Sequence, residues 1–596
     1  MGVTSLLGSV KSALPFRGER GEGRRTDESP RGTAVPRLSG ALPLAGHMVE
    51  FQKNPFELLQ RAWREGGELV EIELLRQPTV LVTGPQANEA FFRAPDDQLC
   101  RREAYKLMTP IFGRGVVFDA PGSRLEEQMR LVMMSLRDVP MRTYPPLVEE
   151  ETMKMLAKLG DEGELDLLHF CKELFLYTAT RCLMGDDVRA GVDAEFEHLY
   201  GNLEKAINPI AYFYPHLPIP TFKRRDAARA RLVERVTTIL EKRARYGATV
   251  DDGLQRLVDG RYTGGEKLSP HEITGILIAI IFAGHHTSAG TQTWSVIELL
   301  RNPAVMRRLR EETDALHARG EQHDLRVLRD HRLGRNHLRE VLRLHPPLIF
   351  LFRKVLRDWH YRGYVVPAGQ MLCASPAVSH RVPETYPDPE RFDPDRFERG
   401  EADNPFSYIA FGGGKHKCTG NAFGLLQIQV VTQVLLRELE LELVDPPESY
   451  VHNYKTATVM PQGPVRVRYR RRAKRALVAV PSIVANGVAA SASHAASEKS
   501  AADPADSGNK SDKPLRRLQL APDRPVRVTI DRQLCQGHSV CVSEAPGIFR
   551  LNADGEGEVY VASPSSEAYE RLARAFEHCP NHAIVVHQDD AAGEPS

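Results

Sequence analysis

The sequence predicts a mainly α-helical unit with small β-sheets, then a linker, then a small α+β unit. Three observations predict it. Long amphipathic helical patterns run through the middle, as at 227–245 and 272–300, and short strand-like runs flank them at 69–75, 79–83 and 465–469. Composition then changes sharply after Arg472, before a compact pattern resumes near Pro525.

The 596 residues are more than one small domain needs. Lysine plus arginine is 79 and aspartate plus glutamate 78, and the net charge of +1 gives no global electrostatic case for nucleic acid. Mean hydropathy is −0.36. No unbroken run of about 18 strongly apolar residues appears, which argues against a transmembrane anchor. Eight cysteines are too few for a disulfide scaffold and suit a cytoplasmic setting.

Residues 1–34 read as a flexible leader, rich in Gly, Arg and Glu after a mildly apolar start. Val3, Leu6, Leu7, Val10 and Leu14 fall near helical spacing, which leaves contact with a membrane surface open. Residues 35–472 form the large unit. Residues 473–523 are rich in Ala, Ser, Asp and Lys and read as a linker. In 524–590, strand runs at 526–530, 557–561 and 583–586 accompany a helix near 566–578. About 60 residues make a small core, which a metal would help to stabilise.

Phe411-Gly-Gly-Gly-Lys-His-Lys-Cys418-Thr-Gly420 is the most informative stretch. Its glycines let a loop wrap closely around something flat. Cys418 stands at the start of a helical run, where the thiolate is favoured over the thiol. The pattern F-x-x-G-x-H-x-C-x-G resembles the haem-binding loop of the cytochrome P-450 superfamily, matched at every position from Phe411. The resemblance implies haem b with Cys418 as the iron ligand, a cysteinate that favours O–O cleavage. It further implies that Glu340-Val-Leu-Arg343 and Arg396 form a buried structural network. Arg391 is a decoy for the second arginine.

Phe282-Ala-Gly-His-His-Thr287 lies in a long apolar helix pattern. Where the superfamily usually has an acidic residue before the Thr, this chain has His286. That histidine resembles the sterol 14α-demethylase branch. So do Ala104-Tyr-Lys-Leu-Met-Thr-Pro-Ile-Phe-Gly-Arg-Gly-Val-Val-Phe118, Pro218-Ile-Pro with Arg224-Arg-Asp226, and His345-Pro-Pro-Leu-Ile349. By position, Tyr105, Arg130, Arg353 and His416 would meet the haem propionates. Tyr105, Leu107, Phe112, Phe282, Ala283, Leu348 and Ile349 would line the substrate. Aliphatic Leu107 leans towards a C4-dimethylated sterol such as lanosterol. The implied reaction is three successive O2-dependent oxidations of the 14α-methyl, ending in formate, with Thr287 and His286 supplying protons. Thr287→Ala is expected to uncouple electron use from product formation, checked by comparing the two.

Cys535-Gln-Gly-His538-Ser-Val-Cys541, followed by Cys579-Pro580, has the spacing of an iron–sulfur run with histidine at the second cysteine position. A 3Fe–4S cluster on three thiolates is the first reading. A 4Fe–4S cluster with His538 as fourth ligand, and a zinc site on the same four residues, stay open. Glu544-Ala-Pro-Gly-Ile-Phe549 and Cys579-Pro-Asn-His-Ala-Ile584 resemble small single-cluster ferredoxins. Cys100, Cys171, Cys182 and Cys373 are left as ordinary small residues. A fused ferredoxin would raise the effective concentration of the electron donor. Acidic Asp554, Glu556 and Glu558 are expected to face Lys415 and Lys417. No flavin or nicotinamide fingerprint appears, so a separate NAD(P)H-dependent ferredoxin reductase is the expected partner. The rival readings are a hydroxylase of a terpenoid or fatty acid and a haem sensor without turnover.

Overall fold

The computed structural model describes residues 32–207, 211, 214–246, 251–402, 404–473, 518, 520, 521, 524–532, 534, 535, 537–552 and 557–588. Nearly all of the leader and most of the linker lie outside the described residues, as do Asp554 and Glu556.

Helices dominate the large unit, and a five-stranded sheet lies to one side of them. The sheet runs in the order Leu69–Leu74, Gln77–Val82, Met371–Ala374, Leu351–Val355, Leu99–Cys100. Leu69 pairs with Val82 in an antiparallel hairpin, and Thr79 pairs with Met371 in parallel. A three-stranded sheet joins Leu439–Leu443, Arg466–Arg471 and Glu162–Asp166.

The core is built on the helix Leu167–Met184, most of whose residues are buried. The Asp166 carboxylate caps this helix by accepting from the amides of Leu168 and His169. It packs on the helices Tyr144–Leu156 and His286–Arg301. Asn421–Glu438 packs in turn on Tyr144–Leu156 and His286–Arg301. The apolar pattern at 272–300 is two helices, Pro270–Gly284 and His286–Arg301, meeting at His285. Together they are long and apolar enough to cross a membrane, but 61% of the most apolar window is buried inside the protein. An all-round apolar helix inside a core passes the same length test as a membrane span. Ser269 and Glu272 form a reciprocal capping box at its start, with Pro270 in the first turn.

In the C-terminal unit Val526–Ile530 pairs antiparallel with Ile584–Gln588, and Phe549–Leu551 with Gly557–Val559. The helices Val540–Glu544 and Tyr569–His578 pack on each other. Its core is small: Val526, Val528, Phe549, Leu572 and Ile584 are the main apolar residues buried in it.

Candidate functional site: a thiolate loop, a broken helix and a docked cysteine cluster

The loop before Asn421–Glu438 holds Cys418, whose amide donates to the Phe411 carbonyl at 2.8 Å. The Cys418 side chain is exposed, and the Gly420 amide and the Lys417 charge favour its thiolate. The loop lies flat on Phe92. A Cβ at Gly413 would meet the Phe92 ring at 2.9 Å, and one at Gly414 (φ +62°) would meet the Phe92 carbonyl oxygen at 2.2 Å.

Beneath this loop lies a buried ion network. Glu340 takes two hydrogen bonds from Arg343, at 2.8 and 2.9 Å, and one from Arg396 at 3.0 Å. All three side chains are at most 1% exposed. Arg343 also donates to the carbonyl of His380 at 3.0 Å, and His380 Nε2 accepts from the Ile409 amide at 2.9 Å. Burial holds the His380 pKa down at about 3, which keeps the imidazole neutral and able to accept. The network therefore reaches the chain two residues before Phe411. Arg391 contributes its backbone carbonyl, which accepts from both Arg343 and Arg396.

Arg353, His416 and Tyr105 come together, and the fourth group beside them is Arg101. Burial and the nearby Arg353 push the Arg101 pKa down to about 10. His416 pairs with Asp96 at 2.5 Å, and Tyr105 accepts from the Phe352 amide at 3.3 Å. Arg130 instead stands exposed on the helix Gly122–Ser135, one turn from Glu127, so it does not join this group. Arg101 carried no motif. Its signal was only its place four residues before Tyr105. Buried cations in excess of carboxylate suit a bound dianion such as two propionates. With the flat glycine loop and the thiol above it, the residues fit a haem.

On the opposite side an aromatic series runs from Tyr105 to His286. Ring centroids lie 5.1 Å apart for Tyr105–Phe118, 6.0 Å for Phe112–Phe118, 5.9 Å for Phe112–Phe282, 4.8 Å for Tyr200–Phe282 and 6.2 Å for Tyr200–His286. Leu107 packs with Ala206, Ala211 and Phe222. Ala283 is open, and its carbonyl accepts from Thr287 Oγ1 at 2.6 Å. Leu348 is exposed. Ile349 packs away from this series with Ala377 and Val459, so it belongs to a separate small core.

At the helix break, His285 Nε2 lies 2.8 Å from the Lys172 carbonyl. His286 Nε2 meets a carboxylate oxygen of Glu204, a residue that sequence reasoning missed. Burial raises the Glu204 carboxyl pKa to about 7, opposed by Lys172, and lowers His286 to about 2. Both shifts favour one proton shared by a neutral pair. Among the described residues, Glu204, His285 and His286 are the one set of three metal-ligand atoms all within 4.8 Å of one another.

Cys535, Cys541 and Cys579 therefore form no such tight set with each other or with His538. The three thiols are still neighbours. Burial, with Cys579 and Cys535 adding to it, pushes Cys541 up to about 12, and the Ala583 amide donates to Cys579 Sγ at 3.3 Å. Three neighbouring thiols suit an iron–sulfur cluster. Cys171, Cys182 and Cys373 are buried, and burial raises all three.

The C-terminal unit sits on the Cys418 loop. Asn421 reaches Asn581 Oδ1 at 3.0 Å, and Lys417 Nζ donates to the Pro580 carbonyl at 3.0 Å. Ion pairs across the contact include Arg93–Asp531 (3.2 Å), His578–Asp330 (2.9 Å), Arg326–Glu544 (3.8 Å) and Arg332–Glu577 (4.0 Å). Lys417 thus meets a backbone carbonyl, Lys415 pairs with Glu126, and Glu558 pairs with Arg550 inside its own unit. Of the acidic triplet expected to face the two lysines, Glu558 is turned to Arg550, and Asp554 and Glu556 lie outside the described residues.

Residues 36–468 match the family described as "Cytochrome P450", and residues 528–586 match "4Fe-4S single cluster domain". A sterol 14alpha-demethylase of Mycolicibacterium vanbaalenii is 42% identical over 447 residues, covering 74% of this chain and 98% of that protein. An obtusifoliol 14-alpha demethylase of Sorghum bicolor is 35% identical, covering 78% of this chain and 94% of that one. A lanosterol 14-alpha demethylase of Bos taurus is 30% identical, covering 74% and 88%. Among solved structures, a retinoic acid bound cyanobacterial CYP120A1 superposes with a TM-score of 0.63 at 21% identity, over 74% of this chain and 100% of that one. The chain belongs to the cytochrome P450 family, as a haem monooxygenase of the sterol 14α-demethylase type joined to an iron–sulfur single-cluster domain.

Proposed function

We propose that this chain removes the 14α-methyl group of a lanosterol-like sterol through three successive oxidations, releasing it as formate. Its own iron–sulfur domain would supply the electrons, refilled in the cytoplasm by a separate NAD(P)H-dependent ferredoxin reductase. Each oxidation consumes one O2, two electrons and two protons. The observation that carries the reading is the Glu204–His286 pair at the helix break, one residue from Thr287.

Haem held by Cys418, with Tyr105, Arg101, Arg353 and His416 at its propionates, would supply the oxygen-activating chemistry. This chain's own residues do the rest. The aromatic series from Tyr105 to Tyr200 forms an apolar wall that orients a rigid sterol and excludes water. Leu107, packed on Ala206 and Phe222, leaves an aliphatic surface for a C4-dimethylated ring. Glu204, with a pKa near the working pH, holds a proton at its carboxyl and shares it with His286 Nε2. Thr287 Oγ1, anchored on the Ala283 carbonyl, is placed to pass that proton inward. For the cluster, Cys535, Cys541 and Cys579 are the ligands, which suits 3Fe–4S.

The test is turnover of lanosterol with a ferredoxin reductase, assayed for formate and the 14-demethylated sterol. Both products are expected, with no oxidation of a long-chain fatty acid. Fatty-acid hydroxylation without sterol turnover would overturn the reading. So would haem reduction that no sterol or terpenoid accelerates, which would favour a sensor.

A further inference from the structure

His538 stands where the iron–sulfur run would place a second cysteine, and it touches the large domain twice. Its backbone carbonyl accepts from the Asp138 amide at 3.2 Å. Its ring Nε2 lies 3.0 Å from the carbonyl oxygen of Thr419, the residue after Cys418. A carbonyl oxygen can only accept, so Nε2 carries the hydrogen and donates. The side chain is buried, with 6% of the residue exposed.

The local backbone is shaped for this contact. Ser539 takes φ +59°, the left-handed region, which turns the chain immediately after His538. The Asp138 amide also lies 3.4 Å from Ser539 Oγ. At the other end of the cysteine set, Asn421 Nδ2 reaches Asn581 Oδ1 at 3.0 Å, two residues past Cys579. Both halves of the cysteine framework therefore rest on residues 419–421. A buried imidazole N–H without an acceptor costs stability, so this bond ties the ring to the docked arrangement.

We infer that His538 is a docking residue that seats the cysteine loop on the haem-ligand loop through its Nε2–H···O=C bond to Thr419, and that it acts by donation and not as an iron ligand. The inference rests on the reading that the C-terminal domain passes electrons to the haem site. From the loop bearing Cys535 and Cys541 to Cys418, the route through this contact crosses one hydrogen bond and otherwise follows covalent chain. His538 is a positioning residue for that route.

The test uses the full-length, haem- and cluster-loaded chain as wild type, His538→Ala and His538→Gln. Three quantities are read: backbone hydrogen exchange of segments 415–422 and 577–583, the cluster's EPR signal with its iron content, and the rate of haem reduction from the cluster. In His538→Ala, exchange in both segments is expected to rise and reduction to slow, each by about fivefold, the weight of one hydrogen bond. The cluster signal and iron content stay as in wild type. Gln has an amide N–H that can reach the same carbonyl and is no iron ligand here. His538→Gln is therefore expected to restore both quantities to within about twofold of wild type. The inference is overturned if His538→Ala matches wild type, if it alters the cluster signal or iron content, or if the Gln variant behaves like the Ala variant. If wild-type chain shows the protected segments but does not reduce its own haem, the electron-supply reading fails, while docking is still judged on exchange alone.

Discussion

The thiolate side and the threonine side of this site are built in opposite ways. The thiolate side comes from one contiguous loop, 411–420, braced from below by Glu340, Arg343 and Arg396 through His380. The threonine side is assembled from pieces far apart in sequence: Phe112 and Phe118, Tyr200 and Glu204, and 282–287. A rigid contiguous loop fixes the iron ligand, and a mosaic of helices shapes the substrate wall and proton supply. Damage to the first should abolish the site, and damage to the second should alter its rate and pH response.

The largest effect should come from Cys418→Ser. The variant is expected to lose the thiolate signature in the carbon monoxide spectrum of the reduced haem form, together with all sterol turnover, because a hydroxyl is a far weaker ligand for iron. A retained thiolate spectrum would mean that another cysteine ligates.

Glu340→Gln comes next. It leaves Arg343 and Arg396 fully buried around a neutral amide. Breaking one partner of a buried ion network costs roughly 3–5 kcal/mol. Urea unfolding should show that loss in the midpoint, with haem retention falling in parallel, since the network reaches the Cys418 loop through His380.

On the threonine side, Glu204→Gln should reduce turnover by about 100-fold while leaving the thiolate spectrum intact. The pH dependence gives the sharper reading. The folded pKa of Glu204 is raised from 4.5 to about 7. Its contribution to stability is therefore full below the unfolded value and is lost as pH rises through about 7. Wild-type turnover should fall as pH rises through about 7, where the folded carboxyl loses the proton it supplies. In the Gln variant the stability loss between pH 4.5 and about 7 and the turnover loss around pH 7 should both vanish. A pH profile identical to wild type would remove Glu204 from the proton path.

These contrasts match what was legible in the sequence. Cys418, Glu340, Arg343 and Arg396 could be read because their partners lie in short spaced patterns, and the structure brings those residues together. His380 could not, since its role is to relay one backbone carbonyl and one ring nitrogen. Thr287 and His286 were visible as a motif, but Glu204 was invisible because its pairing depends on how the helix Ala194–Glu204 crosses the break at His285. Arg130 was named and Arg101 missed for the same reason: several arginines lie near the site in sequence, and only packing decides which joins Arg353 and Tyr105. The small domain's cysteines were legible by spacing. The contacts of its docking surface were not, because Lys417 meets the Pro580 backbone carbonyl, and no side-chain pattern marks a backbone acceptor.

The smallest effect should separate the rim of the docking contact from its centre. His578 lies between Glu544, fully buried, and Asp330, whose side chain is 61% exposed. Removing Asp330 leaves the His578–Glu544 contact at 3.3 Å in place. Because the Asp330 carboxylate is solvated, its pair with His578 is worth about 0.2–1 kcal/mol and is screened by salt. Asp330→Ala should therefore raise hydrogen exchange of the segment around His578 by no more than about fivefold at low salt, and the difference should shrink at high salt. A loss at Asp330 that exceeds the loss at His538, or one that salt does not reduce, would mean that the rim and not the Thr419 contact holds the two domains together.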